Sequence, residues 1–293
     1  MSGLVEQAPA KVNLCLFLGP VRPADGRHQL VTVFQPLTLA DRVTLSPAPL
    51  GTAGDEVVCP GVQGENLALH ALRAFRARTG WNGAPVRLAI DKRIPVAGGL
   101  AGGSADAAAA LRLAARAAGV RDDALLRELG RELGADVPAQ IRPRPVLATG
   151  AGDELRRAAP DPAAPFGVVL LRAHRGLSTA EVFGEADRRG LSRDGGDLEQ
   201  RRAEVERALG TAPFGLPAEL LHNDLEPAAR ALSDEVGEGL AALRAAGADH
   251  ALLCGSGPTV AGLFADPLRA GAAAARLHDR APAPIVTAPR SAG

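Results

Sequence analysis

Apolar residues at every second position predict a β-strand close to the start of the chain. In the segment AKVNLCLFLG (residues 10–19), Val12, Leu14, Leu16 and Leu18 fall on one face of an extended backbone. Further short strands are predicted at LVTVFQPLTL, RVTLSP, DEVVC and PVRLAI, between turns rich in glycine and proline. In the second half of the chain, VVLLR, the two apolar runs of ALLCGSGPTVAGLF, and PIVTA are predicted strands.

Helical spacing alternates with these strands. Apolar residues recur at this spacing after Asn66, a residue type that caps helices, and predict a helix over residues 66–78. Further helices are predicted over 104–118, 122–133, 178–189, 197–208, 223–232, 233–246 and 267–278. Because strands and helices are mixed in both halves of the chain, the predicted fold class is α+β.

A stretch rich in proline and alanine, RRAAPDPAAPFG (residues 156–167), is the best linker candidate in the chain. At roughly 100–200 residues per domain, 293 residues are enough for two domains. We therefore predict an N-terminal domain over residues 1–156 and a C-terminal domain over residues 157–293.

The overall composition excludes several classes of protein. The formal net charge is zero, so nothing indicates a nucleic-acid or membrane-surface partner. No apolar run reaches about 18 residues and the N-terminus lacks a signal-peptide pattern, so we expect a cytoplasmic protein. Cys15, Cys59 and Cys254 are odd in number and lack C-x-x-C spacing, which favours buried thiols over disulfide or metal chemistry.

Lysine is almost absent from this chain. Among 33 basic residues only Lys11 and Lys92 are lysines, and the heavy use of alanine, glycine, arginine and proline suggests a GC-rich genome. A lysine that is kept against such a bias indicates a position where the planar guanidinium of arginine does not fit. The alternative is survival by chance, and the functional interpretation is stronger for Lys11 than for Lys92.

The segment PVAGGLAGGSADAAAAL (residues 95–111) predicts a flexible loop that leads into a helix. Its four glycines allow positive φ angles and a close backbone approach, and the free N–H groups at a helix start bind anions. Ser104 at the predicted helix start can cap the helix or offer its hydroxyl to a phosphate or a metal ion. No lysine lies in the loop, so it is not a G-x-x-x-x-G-K-[ST] loop. The alternative is a turn that only packs an alanine-rich helix tightly against a sheet.

Three shorter features allow both a functional and a structural interpretation. The turn GSGPT (residues 255–259) is either a second backbone cradle for anions or an ordinary hairpin turn. Asp136 in LGADVP precedes Pro138, which suits the first turn of a helix, so Asp136 is either a placed base or a helix cap; the residues alone favour the cap. His28 follows an Asp-Gly turn, where a surface histidine is more common than a ligand contact.

Together these segments resemble the superfamily of galactokinases, homoserine kinases, mevalonate kinases and phosphomevalonate kinases. The signatures of that superfamily are an N-terminal strand with a lysine or similar residue, a P-x-x-x-G-L-x-x-S loop, and a C-terminal loop of the G-S-G-P-T type. Within that superfamily the chain resembles the 4-diphosphocytidyl-2-C-methyl-D-erythritol kinases from residue 9 to about residue 265. The segments that carry this resemblance are PAKVNLCLFLG, RPADGRH, GENLALHAL, IDKRIPVAGGLAGGSADAAAAL, LGADVP, GLSTAEVF, NDLEPAA and CGSGPTVAGLF.

The resemblance implies a two-domain small-molecule kinase fold with the active site in the interdomain cleft. The implied reaction moves the γ-phosphoryl group of ATP to the 2-hydroxyl of the cytidyl-linked methylerythritol, a step of the non-mevalonate route of isoprene and terpenoid biosynthesis. ATP and Mg²⁺ are the implied cofactors, and we expect a monomer or a weak homodimer. The alternatives are a sister kinase for another alcohol, such as homoserine or mevalonate, and an inactive nucleotide-binding member, which we expect to lack Lys11 or Asp136.

The resemblance also implies roles for the residues on the ATP side. Asp136 orients and deprotonates the attacking hydroxyl, while Lys11 keeps Asp136 ionised and stabilises charge on the hydroxyl or the γ-phosphate. Asn66 and Lys92 match positions near the adenine, and Ser104 lies near Mg²⁺. Backbone amides of the loop hold the ATP phosphates, and the loop residues are Pro95, Val96, Ala97, Gly98, Gly99, Leu100, Ala101, Gly102, Gly103, Ser104 and Ala105.

On the substrate side, Asn13 and Thr179 match substrate contacts, His28 matches the residue that reads the cytosine, and Phe183 matches an aromatic residue on one face of the base. The family often has tyrosine before this histidine, and here the residue is Arg27. We expect the Arg27 guanidinium to stack on the base in place of the ring. The alternative is that Arg27 points into water and Phe183 holds the base alone.

Overall fold

The computed structural model describes residues 3–62, 64–158, 165–211 and 213–291 of the chain. The strands are β1 (Leu4–Val21), β2 (His28–Pro47), β3 (Glu56–Val58), β4 (Val86–Asp91), β5 (Val146–Thr149), β6 (Glu154–Ala158), β7 (Gly167–Leu171), β8 (His222–Asn223), β9 (His250–Leu253), β10 (Val260–Phe264) and β11 (Ile285–Thr287). The helices are α1 (Leu67–Thr79), α2 (Gly102–Ala118), α3 (Asp123–Leu133), α4 (Val137–Ile141), α5 (Thr179–Arg188), α6 (Gly195–Ala208), α7 (Glu226–Leu232), α8 (Asp234–Ala245) and α9 (Pro267–Arg276).

The chain forms two compact units, and each unit combines several stretches of sequence. Unit 1 contains Met1–Ala10, Leu39–Val96 and Ala101–Pro143, and unit 2 contains Lys11–Thr38, Ala97–Leu100 and Arg144–Gly293. The chain therefore passes between the units inside β1, inside β2, twice inside the glycine-rich loop, and once after α4 between Pro143 and Arg144. The predicted boundary between consecutive domains at residue 156 stays a prediction, and residues 159–164 of the predicted linker lie outside the described residues.

Unit 1 packs helices on a small sheet. The strand β4 pairs antiparallel with the end of β2 (Arg42–Pro47) and parallel with β3. Fully buried Leu72 and Phe75 of α1 join Leu88 of β4 and Leu111 of α2 in one apolar core. The alanine run of α2 is also fully buried, and because its side chains end at Cβ, the helix backbone can approach α1 and the sheet closely.

Unit 2 is built around a four-stranded antiparallel sheet with the order β11-β7-β10-β9. Buried residues of β7, β10, α7, α8 and α9 form its apolar core, which Leu16 and Leu18 of β1 join. The first part of β2 pairs with β5, and Cys15 and Leu16 of β1 pair in parallel with β8. The pairing of β1 with β8 matters for the candidate site, because it brings the segment after β8 beside the strand that carries Lys11.

The predicted α+β class is confirmed, and most predicted helices lie within two residues of the observed ones. The two strands predicted at 30–39 and 42–47 are one strand, β2. Asp41 lies between the two predicted segments, and its buried carboxylate accepts hydrogen bonds from the backbone N–H groups of Arg93 and Ile94 at 2.6 and 2.8 Å. Strands β5, β6 and β8 are too short or too polar for alternation to predict. None of the described helices has the length and apolar composition needed to cross a bilayer.

The glycine-rich loop and the GSGPT turn meet backbone to backbone within unit 2. A Cβ atom at Gly99 would overlap the carbonyl oxygen of Cys254 and lie 3.0 Å from the Gly257 nitrogen. A Cβ atom at Gly255 would lie 2.9 Å from the Gly99 oxygen. Gly99 and Gly255 also have positive φ angles, 75° and 55°. Both segments therefore need glycine for space and for backbone conformation.

We expect Gly99→Ala to lower the free energy of unfolding by at least about 2 kcal/mol, because it combines a backbone overlap with a left-handed φ. Gly103→Ala is the matched control. Gly103 lies in α2 with open space around its Cα and no positive φ, so alanine should leave the free energy unchanged or raise it by up to about 1 kcal/mol. Urea unfolding of the three proteins measures both effects, and equal stability of the two variants would contradict the packing argument.

Candidate active site

Lys11 is a buried cation with a defined position on β1. Its side chain is 5% exposed, and Nζ donates a hydrogen bond to Oδ1 of Asn13 at 2.8 Å. The two residues are two apart on a strand, so they project from the same face. Nζ also lies 4.9 Å from the ring centroid of Phe34, which is a favourable cation–π distance. The predicted residues Lys11 and Asn13 are thus brought together.

A buried hydroxyl fixes the orientation of the Asn13 amide. Oγ1 of Thr32 donates to the carbonyl oxygen of Cys15 at 2.7 Å and accepts from Nδ2 of Asn13 at 2.7 Å. Since a carbonyl can only accept, the direction of this chain is determined, and Oδ1 of Asn13 is left for Lys11. Sequence reasoning missed Thr32; its only signal was a polar residue inside the apolar run LVTVF.

The contact of the two glycine segments lies beside Lys11. The backbone N–H of Lys11 donates to the carbonyl of Leu100 at 3.1 Å. A Cβ atom at Gly255 would lie 3.6 Å from both Nζ of Lys11 and Oδ1 of Asn13. Burial raises the pKa of the neighbouring Cys254 thiol to about 12, so this cysteine is a neutral packing group. Within unit 2, backbone groups of both segments and one ammonium group therefore converge.

The start of α5 lies against the same turn. Oγ1 of Thr179 lies 3.0 Å from Oγ of Ser256, so the two hydroxyls share a hydrogen bond. Ser178 caps the helix by accepting a hydrogen bond from Glu181 N–H. Ser256 was missed as an individual residue, although it lies inside the GSGPT motif.

His28 is buried, so the expectation of a surface histidine that its position after a turn suggested is wrong. Its Nδ1 lies 2.8 Å from the carbonyl oxygen of Gly19 and must carry the proton, because the carbonyl only accepts. Nε2 lies 3.0 Å from Oδ1 of Asp187, without the alignment of a hydrogen bond. The ring centroids of His28 and Phe183 are 5.5 Å apart. Asp187 was missed; its signal is the i, i+4 spacing from Phe183 on α5.

Arg27 has a half-exposed side chain. Its guanidinium lies 3.9 Å from a carboxylate oxygen of Asp153, and the side chain is 42% exposed. An exposed ion pair at this distance contributes little to stability. The arginine is therefore accessible, and its stacking on a base stays a prediction.

In unit 1, the helix α2 begins at Gly102 rather than at Ser104. The N-cap residue is Ala101, which has a φ of 57° and offers no capping side chain. The prediction that Ser104 starts or caps the helix is wrong, because Ser104 is the third helical residue. The left-handed positions of the loop are Ala97, Gly99 and Ala101, whereas glycine was expected to occupy them. A non-glycine residue in this region costs of order 1 kcal/mol and indicates a constrained loop.

Lys92 lies at the start of α2 and is held by two carboxylates. Nζ forms ion pairs with Asp41 and, at 2.8 Å, with Oδ2 of Asp106. Burial would lower the pKa of Lys92, but the two carboxylates outweigh it and raise the pKa, so the lysine stays charged. A Cβ atom at Gly102 would lie 3.2 Å from Nζ. The predicted loop and Lys92 are thus brought together, although the positive charge of Lys92 is already balanced by the two carboxylates.

Of the two carboxylates that pair with Lys92, Asp106 is the one with an unsatisfied oxygen. Oδ1 is buried and has no hydrogen-bond partner among the described residues. Burial raises the pKa of the carboxyl group to about 7, in spite of Lys92. Sequence reasoning missed Asp41 and Asp106, although an aspartate inside an alanine run is a usable signal. No group of three or more His, Cys, Asp or Glu side chains among the described residues could hold a metal ion.

Asn66 and Asp136 both lie directly before helices, but only Asn66 caps its helix with a side-chain hydrogen bond. Oδ1 of Asn66 accepts a hydrogen bond from Ala68 N–H at 2.9 Å, which confirms its predicted capping of α1. Asp136 occupies the N-cap position of α4, but its side chain makes no capping hydrogen bond. The cap interpretation of Asp136 is therefore wrong, while Pro138 does lie in the first turn of α4 as predicted. Asp136 belongs to unit 1 and Lys11 to unit 2.

Comparison with known proteins identifies relatives of both halves of the chain. Residues 66–143 match the family model described as GHMP kinases N terminal domain, and residues 205–283 match GHMP kinases C terminal. A crystal structure of 4-(cytidine 5'-diphospho)-2C-methyl-D-erythritol kinase aligns with a TM-score of 0.77 at 31% identity, covering 98% of this chain and all of that one. A homoserine kinase structure from Cytophaga hutchinsonii aligns with a TM-score of 0.72 at 16% identity, over 99% of this chain and 95% of that one, which shows a shared fold alone.

Comparison with curated sequences identifies a single family within the GHMP kinases. The 4-diphosphocytidyl-2-C-methyl-D-erythritol kinase of Kineococcus radiotolerans is 43% identical, over 94% of this chain and 85% of the relative. The protein of the same name from Moorella thermoacetica is 40% identical, over 98% of this chain and 99% of the relative. The chain therefore belongs to the 4-diphosphocytidyl-2-C-methyl-D-erythritol kinase family of the GHMP kinases.

Proposed function

We propose that this protein transfers the γ-phosphoryl group of ATP to the 2-hydroxyl of 4-diphosphocytidyl-2-C-methyl-D-erythritol. The observation that carries the proposal is the buried Lys11, held by Asn13 beside the contact of two glycine segments, in a chain whose relatives carry that activity in their names. A homoserine or mevalonate kinase is less supported, because such structures share the fold at only 12–16% identity.

Positioning and charge stabilisation supply most of the catalysis in phosphoryl transfer. In the proposed mechanism, Asp136 orients the acceptor hydroxyl and takes its proton as the new O–P bond forms. The ammonium of Lys11 stabilises negative charge on the acceptor oxygen and the transferring phosphoryl group. The absence of a capping hydrogen bond from Asp136 supports this role, because it removes the structural alternative of a helix cap.

ATP would be held by the backbone of residues 95–105. The uncapped start of α2 supports this, because N–H groups at a helix N-terminus and the helix dipole favour phosphate. Mg²⁺ would neutralise phosphate charge when bound. In kinase sites this ion keeps several waters and takes few protein ligands besides phosphate, so the single hydroxyl of Ser104 fits, and no larger cluster of ligands is required.

The cytosine end of the substrate would lie near His28, Phe183 and Arg27. The proximity of His28 and Phe183, at 5.5 Å between ring centroids, supports a base-binding group. Asn13 and Thr179 would contact the substrate, and Asn66 and Lys92 would flank the adenine. A cytoplasmic location, a monomeric or weakly dimeric state and the lack of nucleic-acid partners stay predictions.

The substrate assignment is tested by measuring ADP release with three acceptors: 4-diphosphocytidyl-2-C-methyl-D-erythritol, homoserine and mevalonate. We expect kcat/KM for the cytidyl compound to exceed the other two by at least about 100-fold, since a site built to hydrogen-bond a substrate rejects one that lacks those groups. A higher value for either of the other alcohols would overturn the proposal.

Asp136→Asn should lower kcat at least about 100-fold and leave KM for ATP nearly unchanged, because general-base contributions are typically 10²–10⁴-fold. The matched control is Asp122→Asn. Asp122 is an N-cap in the same unit, whose Oδ1 accepts from Leu125 N–H at 3.0 Å, and asparagine caps as well as aspartate. Steady-state kinetics should leave the control unchanged, and a loss of less than tenfold in Asp136→Asn would remove its catalytic role.

Lys11→Arg should lower kcat at least about tenfold although the charge is kept. The wider guanidinium cannot take the place of a compact ammonium between the Asn13 amide and the Phe34 ring. Lys11→Ala provides the reference for complete loss of charge, and urea unfolding shows whether each variant is folded. Near-wild-type turnover of Lys11→Arg would show that this lysine survives by chance.

A further inference from the structure

The motif NDLEPAA (residues 223–229) begins with an asparagine whose side-chain nitrogen and oxygen both have hydrogen-bond partners. Asn223 is 2% exposed. Its Nδ2 donates to the carbonyl oxygens of Leu253 and Gly255 at 2.9 and 2.8 Å, and Oδ1 accepts from the N–H of Leu225 at 2.9 Å. Two donors and one acceptor are required at once, which an amide provides and a carboxylate does not.

The two carbonyl groups belong to the residues on either side of Cys254. Asn223 therefore spans the point where β9 turns into the GSGPT segment. This is the part of the turn whose Cys254 oxygen and Gly257 nitrogen leave no room for a side chain at Gly99. The amide thus holds the turn that packs on the loop 97–100.

The next residue attaches the same segment to β1. The N–H of Asp224 donates to the Leu16 carbonyl at 2.9 Å, and Oδ2 accepts from the N–H of Leu18 at 2.8 Å. Burial would raise the pKa of Asp224, but hydrogen bonds from His222, Arg193 and the backbone outweigh it and lower the pKa to about 2. The carboxylate is therefore ionised at neutral pH and remains attached to the strand that carries Lys11.

We propose that Asn223 is a positioning residue for phosphoryl transfer, which holds the Cys254–Gly257 turn in place beside Lys11 and the loop 97–100. The inference rests on the proposed function and extends it to a residue outside the predicted site. The chain of contacts is short: Asn223 bonds the Gly255 carbonyl, a Cβ at Gly255 would be 3.6 Å from Lys11 Nζ, and Lys11 N–H bonds Leu100. Displacement of a catalytic group by about 1 Å can cost about 100-fold in rate.

The test compares Asn223→Ala and Asn223→Asp with the control Val205→Ala. Val205 is fully buried in α6 of the same unit, so its truncation lowers stability without removing a bond to the turn. Urea unfolding is measured together with kcat and both KM values, at a temperature where every protein is folded. We expect kcat to fall at least about tenfold in both Asn223 variants and to stay within about twofold in the control. Equal kcat in the control and the Asn223 variants would overturn the inference.

A double-mutant cycle separates positioning from stability even if one variant folds poorly. On the Lys11→Arg background, Asn223→Ala should reduce kcat by less than about threefold, because residues that act as one unit are not additive. A full tenfold loss on that background would contradict the proposed route through Lys11. A wild-type protein that shows no phosphoryl transfer would refute the proposed function itself, which is a different outcome from either of these.

Discussion

The contact between two glycine-containing backbones is the constraint on which the rest of unit 2 depends. Gly99 and the turn from Cys254 to Gly257 approach so closely that neither Gly99 nor Gly255 has room for a Cβ atom. Such an approach leaves polar backbone groups near one another without intervening side chains, which suits the binding of an anion. It also has to be held from outside, because glycine segments lose more conformational entropy on ordering than any other residue type.

Hydrogen bonds from surrounding side chains and from one backbone N–H group supply that support. The amide of Asn223 binds two carbonyls of the turn, Thr179 and Ser256 share a hydroxyl bond, and Lys11 N–H binds the loop at Leu100. Every one of these groups is directional, so each defines a position to within a few tenths of an ångström. Directional support of this kind is what a preorganised phosphoryl-transfer site requires.

Periodicity and motif spacing predicted the elements well where burial follows a regular pattern. The helices α1 and α3 and the strands β4 and β7 have such patterns. The pattern failed where a buried polar residue has a distant partner. Asp41 lies inside the continuous strand β2 and binds two N–H groups of another segment, and such a long-range bond leaves no periodic trace. The start of α2 was misplaced because two alanines, rather than glycines, take the left-handed positions before it.

The candidate site was predicted in parts, because a sequence shows residue types and not their partners. Lys11 and Asn13 come together as a strand pair should. Thr32, which orients Asn13, and Asn223, which bonds the neighbouring turn, are ordinary polar residues in apolar surroundings. Asp136 illustrates the opposite limit: its position before a proline favours a cap, and only the missing capping bond excludes that role. Local statistics describe the usual use of a residue, while function often depends on an unusual one.

The two lysines show why an arginine-rich chain retains ammonium groups. Arginine forms the forked pairs of this structure: Arg76 with Asp55, and Arg193 with Asp224. In each case both carboxylate oxygens face a planar group. Lys11, which is buried, and Lys92, which is partly buried, instead make contacts in separate directions: to an amide and a ring in one case and to two carboxylates in the other. A compact charge suits that geometry, which agrees with the functional interpretation of the two lysines. Their neighbours differ: Lys92 pairs with the carboxylates of Asp41 and Asp106, whereas Lys11 binds the Asn13 amide beside the Phe34 ring.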